Sequence, residues 1–199
     1  EICLRRGVAI CSDEIHCDLL FSGHRHTPIA SIDPEIAKRS VTLIAPSKTY
    51  NLAGLRCSVA IVPDERLRQR LQDEHAQLFS PVNILGFTAA LAAYRDGQEW
   101  LDQVLAYLEA NRDFVVDFVR RELPGIDVAT PEATYLAWLD CRRSGIPGNA
   151  YRFFVEHARV ALQDGASFGT TGEGFVRLNF GCPRSTLADA LDRIKRAVR

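Results

Sequence analysis

An amine, an acid, an imidazole and a guanidinium stand just beyond short apolar runs in this chain. Lys48 follows Val41-Thr42-Leu43-Ile44 and is preceded directly by Ser47, with Arg56 a little further on. Asp13 and His16 follow the earlier run Val8-Ala9-Ile10-Cys11. In open α/β sheets, ligands bind outside the carboxyl ends of the strands, where these side chains would lie. An amine placed there can form a Schiff base with an aldehyde. It reacts as the neutral amine, a form that neighbouring cations and desolvation favour. Asp13 can partner a protonated pyridine nitrogen and keep such a ring an electron sink, and His16 can reach a phenolic oxygen on the ring. Taken singly, Lys48 also suits a surface lysine and Asp13 a turn carboxylate.

These residues need elements to position them. The runs Val8–Cys11, Val41–Ala45 and Val59–Val62 are short and nearly continuous, as strands buried on both faces are. A short helix is expected near Pro34–Arg39, and longer ones over Asp64–Phe79, Pro81–Tyr94 and the periodic stretch Trp100–Val119. Leu123-Pro124-Gly125 is the strongest boundary signal. Beyond it, Val128, Thr134–Leu139, Val160–Leu162 and Phe175–Phe180 read as strands, with helices over Asn149–Arg159 and Ser185–Val198. The expectation is an α/β domain over 1–124 followed by a small α+β domain over 125–199.

Bulk properties exclude several classes. The 199 residues are 47% hydrophobic and 25% charged, with a formal net charge of −1. That balance argues against a nucleic-acid binder with a strongly basic face. No run approaches a membrane span and no signal-peptide pattern opens the chain. The six cysteines include no CxxC pair and read as buried free thiols of a cytoplasmic protein. His24 and His26 read as a solvated loop pair, since no further metal ligand has suitable spacing. Arg66, Arg68 and Arg70 read as a solvated helix face. Glu1–Gly7 reads as the end of a helix stopped by Gly7, and the chain has no methionine. It therefore reads as the C-terminal part of a longer protein.

The segments Ser12-Asp13-Glu14-Ile15-His16-Cys17-Asp18-Leu19, Ser47-Lys48-Thr49-Tyr50-Asn51-Leu52-Ala53-Gly54-Leu55 and Gly174-Phe175-Val176-Arg177-Leu178-Asn179-Phe180-Gly181-Cys182-Pro183-Arg184 resemble fold-type I enzymes dependent on pyridoxal 5′-phosphate (PLP). The nearest branch is the cystathionine β-lyase or cysteine C–S lyase relatives of the class I/II aminotransferases. The resemblance covers the whole chain as roughly the C-terminal half of the family's protomer. It implies the aspartate aminotransferase-like fold and PLP as cofactor. It also implies Lys48 as the Schiff-base lysine, Asp13 at the pyridine nitrogen and His16 at the phenolic oxygen. Ser47 and Arg56 match phosphate-holding positions, and Arg177 matches the arginine that grips the substrate α-carboxylate. Asn179 and Arg184 are expected to be structural. Ala45-Pro46 and Ala133 depart from the family pattern. The implied activity is β-elimination from cystathionine or cysteine S-conjugates. The alternatives are transamination, which shares the same first steps, and a non-catalytic PLP-binding module or inactive fragment. A small amino-acid substrate and a homodimer are further implications, with no nucleic acid, membrane or metal.

Overall fold

The computed structural model describes residues 1–78 and 81–198, with the side chains of 75–78 left aside. Two compact units divide the chain, Glu1–Gln103 and Val104–Arg199. The division falls inside one long helix, and the Pro124–Gly125 turn lies within the second unit.

The first unit begins with helix α1 (Ile2–Arg6), stopped as expected by Gly7 at φ 66°, whose N–H returns to Cys3 and Leu4 carbonyls. Strands β1 (Ile10–Asp13), β2 (Ser40–Ile44) and β3 (Val59–Ile61) form a sheet in that order. β1 runs parallel to β2, and β3 runs antiparallel to it. Helix α2 (Pro34–Ala37) starts where the Asp33 carboxylate accepts the Glu35 N–H, and its first residue is a proline. One helical turn, α3 (Pro46–Thr49), follows β2 directly. Helix α4 (Glu65–Leu78) starts at the Asp64 cap on Leu67, and α5 (Ile84–Asp96) at the Asn83 cap on Gly86. Of the expected helix over Asp64–Phe79, Phe79 lies outside the described residues.

The expectation of strands buried on both faces is not met. All three residues of β3 are exposed and β1 alternates, while Val8 and Ala9 precede the strand as exposed, unpaired chain. Strands become doubly buried when elements cover both faces of the sheet. Here one face opens on a cleft of about 760 Å³ lined by Cys11, Val41, Leu43, Val59, Val62 and Leu71.

Helix α6 (Gln98–Glu122) carries the chain into the second unit. Strands β4 (Asp127–Val128), β5 (Leu136–Asp140), β6 (Gln163–Asp164) and β7 (Phe175–Asn179) pair antiparallel in the order β4-β5-β7-β6. Ala137 and Leu139 of β5 oppose Leu178 and Val176 of β7, and all four are buried. They share the core with Val115 and Val119 of α6 and with Leu187, Leu191 and Ile194 of the last helix, α8 (Arg184–Ala197). The helix expected over Asn149–Arg159 starts at an Asn149 cap as α7 (Ala150–Phe153) and then widens into a π-turn over Phe154–Ala158. The strand expected over Val160–Leu162 forms later and shorter, as β6. The Val160 N–H is already bonded to the Phe154 carbonyl, so this residue ends the helix and cannot start a strand.

Candidate active site

Register brings the first unit's reactive side chains to one edge of its sheet. Asp13 pairs with Leu43 across the parallel strands, so the C-terminal ends of β1 and β2 share that edge. Val59 pairs with Ile44, so the antiparallel β3 starts there. Asp13 ends β1, Ser47 and Lys48 sit on the turn leaving β2, and Arg56 lies in the approach to β3.

Asp13 is exposed and accepts the Ile15 N–H at 3.2 Å, which bends the chain out of the strand. His16 is half-buried within the turn that follows, where its carbonyl accepts the Leu19 N–H. Ser47 and Lys48 are half-buried on α3, whose first residue Pro46 pre-sets the helical φ. Among the described residues neither the Lys48 ammonium nor the Ser47 hydroxyl has a partner within the chain. The exposed Arg56 guanidinium likewise has none, and its backbone holds φ 51°, a left-handed conformation that costs roughly 1 kcal/mol or more in a non-glycine residue. An amine, a guanidinium and a hydroxyl thus stand uncommitted at the sheet edge where the Asp13 strand ends.

A second layer holds this edge together, and sequence reasoning missed it. The Glu14 carboxylate, 7% exposed, accepts the Ser12 hydroxyl at 3.0 Å, the Ile29 N–H at 2.9 Å and His26 Nε2 at 2.7 Å. Burial alone would raise its pKa, but the bonds from His26, Ile29 and Ser12 outweigh it and hold the group below the usual carboxylate range. His26 is therefore not simply solvated: it is half-buried against Glu14. Period-two alternation was the available signal, since it turns Glu14 to the face opposite Asp13. Further along, the Thr49 hydroxyl donates to Asp18 at 3.0 Å. The Tyr50 ring packs edge-on to Tyr94 and beside Trp100. Gly97 makes room, because a Cβ there would stand 2.7 Å from the Tyr50 ring.

Arg177 belongs to the second unit. It is half-buried on β7 opposite Trp138, hydrogen-bonded to the Gln163 side chain and stacked 4.6 Å from the Phe168 ring centre. Trp138 in turn meets Phe168 edge-on and stacks on Phe175, so one face of this sheet is aromatic and cationic. Asn179 and Arg184 are spent within the unit: Asn179 accepts the Gly181 N–H, and Arg184 bonds Asn111 and covers the Phe114 ring. Of the six free cysteines, Cys57 and Cys141 are buried and Cys11 is exposed, so the reading of all six as buried thiols does not hold. Arg66, Arg68 and Arg70 are all exposed, as the solvated-face reading expects, and Arg68 also donates to the Val62 carbonyl. Among the described residues no group of three or more His, Cys, Asp or Glu side chains could hold a metal ion. None of the described helices is long and apolar enough to cross a membrane.

The sequence model of the aminotransferase class I and II family matches residues 1–194. The chain belongs to this family. Cystathionine β-lyase PatB of Bacillus subtilis is 42% identical over 100% of this chain and 52% of its own length. The structure of cystalysin from Treponema denticola, which contains PLP, superimposes with a TM-score of 0.92 at 33% identity, covering 98% of this chain and 50% of that one. The PLP-bound C–S lyase of Staphylococcus hominis, complexed with the inhibitor L-cycloserine, gives 0.92 at 35% identity, covering 100% and 48%. The chain thus spans about half the length of the curated relatives it matches. The mixed α/β fold of PLP-dependent transferases, expected from the resemblance, is the fold observed.

Proposed function

We propose that this family member supplies the lysine half of a PLP-dependent carbon–sulfur β-lyase site, acting on cystathionine or related cysteine S-conjugates. The observation that carries the reading is the single sheet edge where the Lys48 amine, the Asp13 carboxylate and the uncommitted Ser47 and Arg56 donors meet. An aldehyde, a protonated ring nitrogen and a phosphate are the groups such a set would hold, so the residues present fit PLP. When bound, PLP supplies an electron sink for charge developing at the substrate Cα.

Each side chain then has a task. Lys48 Nζ would hold the cofactor through its aldehyde, and its free amine would serve as the general base for the substrate Cα proton. Asp13 would partner the protonated ring nitrogen, and His16 would serve the phenolic oxygen. Ser47 and Arg56 hold phosphate oxygens, the guanidinium doing so with a fork of N–H donors. Arg177 exchanges Gln163 for the substrate α-carboxylate in a bidentate pair. Residues 1–124 serve as part of the large cofactor-binding domain and 125–199 as the small domain. The working enzyme is a cytoplasmic homodimer.

The lyase reading is favoured by relatives that carry that name at 42% and 40% identity. The family's aminotransferase members support transamination as the second reading, because both reactions begin by removing the same proton. Pyruvate released from cystathionine without a keto-acid acceptor is the expected result. Strict dependence on an acceptor would overturn the lyase reading in favour of transamination.

A further inference from the structure

Asp18 closes the turn that Asp13 opens, and both of its carboxylate oxygens are engaged. Oδ1 receives the Cys17 thiol at 3.6 Å and Oδ2 the Thr49 hydroxyl at 3.0 Å. Thr49 is 1% exposed and adjoins Lys48 on the same helical turn. This bond therefore joins the segment after β1 to the segment after β2 beyond the last strand pairing, Asp13 with Leu43.

The titratable donors around that carboxylate are held in their neutral forms. Burial, reinforced by the Asp18 charge, pushes the Cys17 thiol up to about 11 and the Tyr94 phenol up to about 12. It raises Tyr50 in the same way. The donors to Asp18, the Thr49 hydroxyl and the Cys17 thiol, stay neutral at physiological pH, and a hydroxyl bonded to a carboxylate in a part-buried site makes a directional link. The opposite end of the Asp13–Asp18 segment is fixed independently by the Glu14 bonds to His26 and Ile29.

We propose that Asp18 is a positioning residue: through Thr49 it straps the lysine-bearing turn to the Asp13–Asp18 segment and sets where the Lys48 amine stands relative to Asp13 and His16. The proposal rests on the reading of Lys48 as the Schiff-base lysine. Displacement of a reacting group by about 1 Å costs on the order of a hundredfold in rate, so loss of one such strap has a measurable consequence.

Borohydride capture tests both statements on the full chain. The protein is incubated with PLP and reduced, which converts an imine to a stable secondary amine, and mass spectrometry locates the labelled lysine. Wild-type protein is expected to be labelled at Lys48. Thr49→Val slows labelling at limiting PLP by roughly tenfold or more, while Thr49→Ser, which keeps the hydroxyl, retains the wild-type rate. Equal labelling of Thr49→Val and wild type overturns the strap and leaves the cofactor site standing. A Thr49→Ser rate as low as that of Thr49→Val also overturns it, since the hydroxyl would then not be the cause. Wild-type protein unlabelled at Lys48 removes the cofactor-site reading, and the strap with it. If Thr49→Val does not fold, Asp18→Asn and Asp18→Ala decide: the strap requires that Asn, which keeps an acceptor, label faster than Ala, and equal rates overturn it.

Discussion

In the second unit Val176, Leu178, Ala137 and Leu139 are at most 2% exposed, and Phe154, Phe180, Leu191 and Ile194 are fully buried around them. In the first, Val59 and Ile61 of β3 are 45% and 46% exposed, and the one buried charged side chain among the described residues is the carboxylate of Glu14. One sheet is held by apolar packing beneath it, while the other is held at its candidate-site edge by hydrogen bonds to the buried Glu14 and half-buried Asp18 carboxylates. Apolar packing is non-directional and tolerates small shifts, whereas a carboxylate with fixed donors sets the place of a loop to a few tenths of an ångström. An edge carrying uncommitted Lys48 and Arg56 requires the second kind of restraint.

The widest separation of the two regions comes from Lys48→Ala. It is expected to lower turnover by roughly 10²–10⁴-fold or more, with little change in the melting temperature, because no bond within the chain is lost. A large destabilisation would show that Lys48 is part of the packing after all. Phe180→Ala is the counterpart in the sealed unit. It should cost about 3–5 kcal/mol in denaturant unfolding, and a loss under about 1 kcal/mol would mean that this core is looser than its burial indicates.

Glu14→Gln comes next, with a cost of roughly 1–3 kcal/mol for replacing a charged acceptor of several bonds. It also carries a pH signature. The folded-state pKa of Glu14 lies below its unfolded value of 4.5, so its contribution is complete above that pH and is lost as pH falls through the lowered folded value. Wild-type protein should therefore lose stability across that acid window faster than Glu14→Gln, and parallel acid limbs would refute the assignment. The smallest effect is expected for Val59→Thr on the exposed β3, within about 0.5 kcal/mol. A cost as large as that of Phe180→Ala would erase the contrast between the two sheets.

Much of the candidate site was proposed before any coordinates. Lys48, Asp13 and His16 announce themselves by type and by following apolar runs, and caps such as Asn83 and Asn149 sit where short-range rules put them. Arg56 stood out by type and by its place after Lys48, but its phosphate role came only from the resemblance, and its arrival at the same edge depends on β3 running antiparallel to β2. Val160 was misread because a π-turn and an edge strand compete for one N–H, and apolar character favours neither.

The sequence by itself determined which groups can react, the family, and the order of helices and strands, because these follow from residue type and local periodicity. Only the tertiary structure decided which acids stand open and which are fastenings. Asp13, Glu14 and Asp18 lie within one short segment, yet Asp13 is exposed at the strand end, Glu14 is closed in by His26 and Ile29, and Asp18 is tied to Thr49. Those partners come from distant parts of the chain, so local alternation turns Glu14 away from Asp13 but does not reveal what closes over Glu14 or ties Asp18. Their roles are set by what the fold places against each of them.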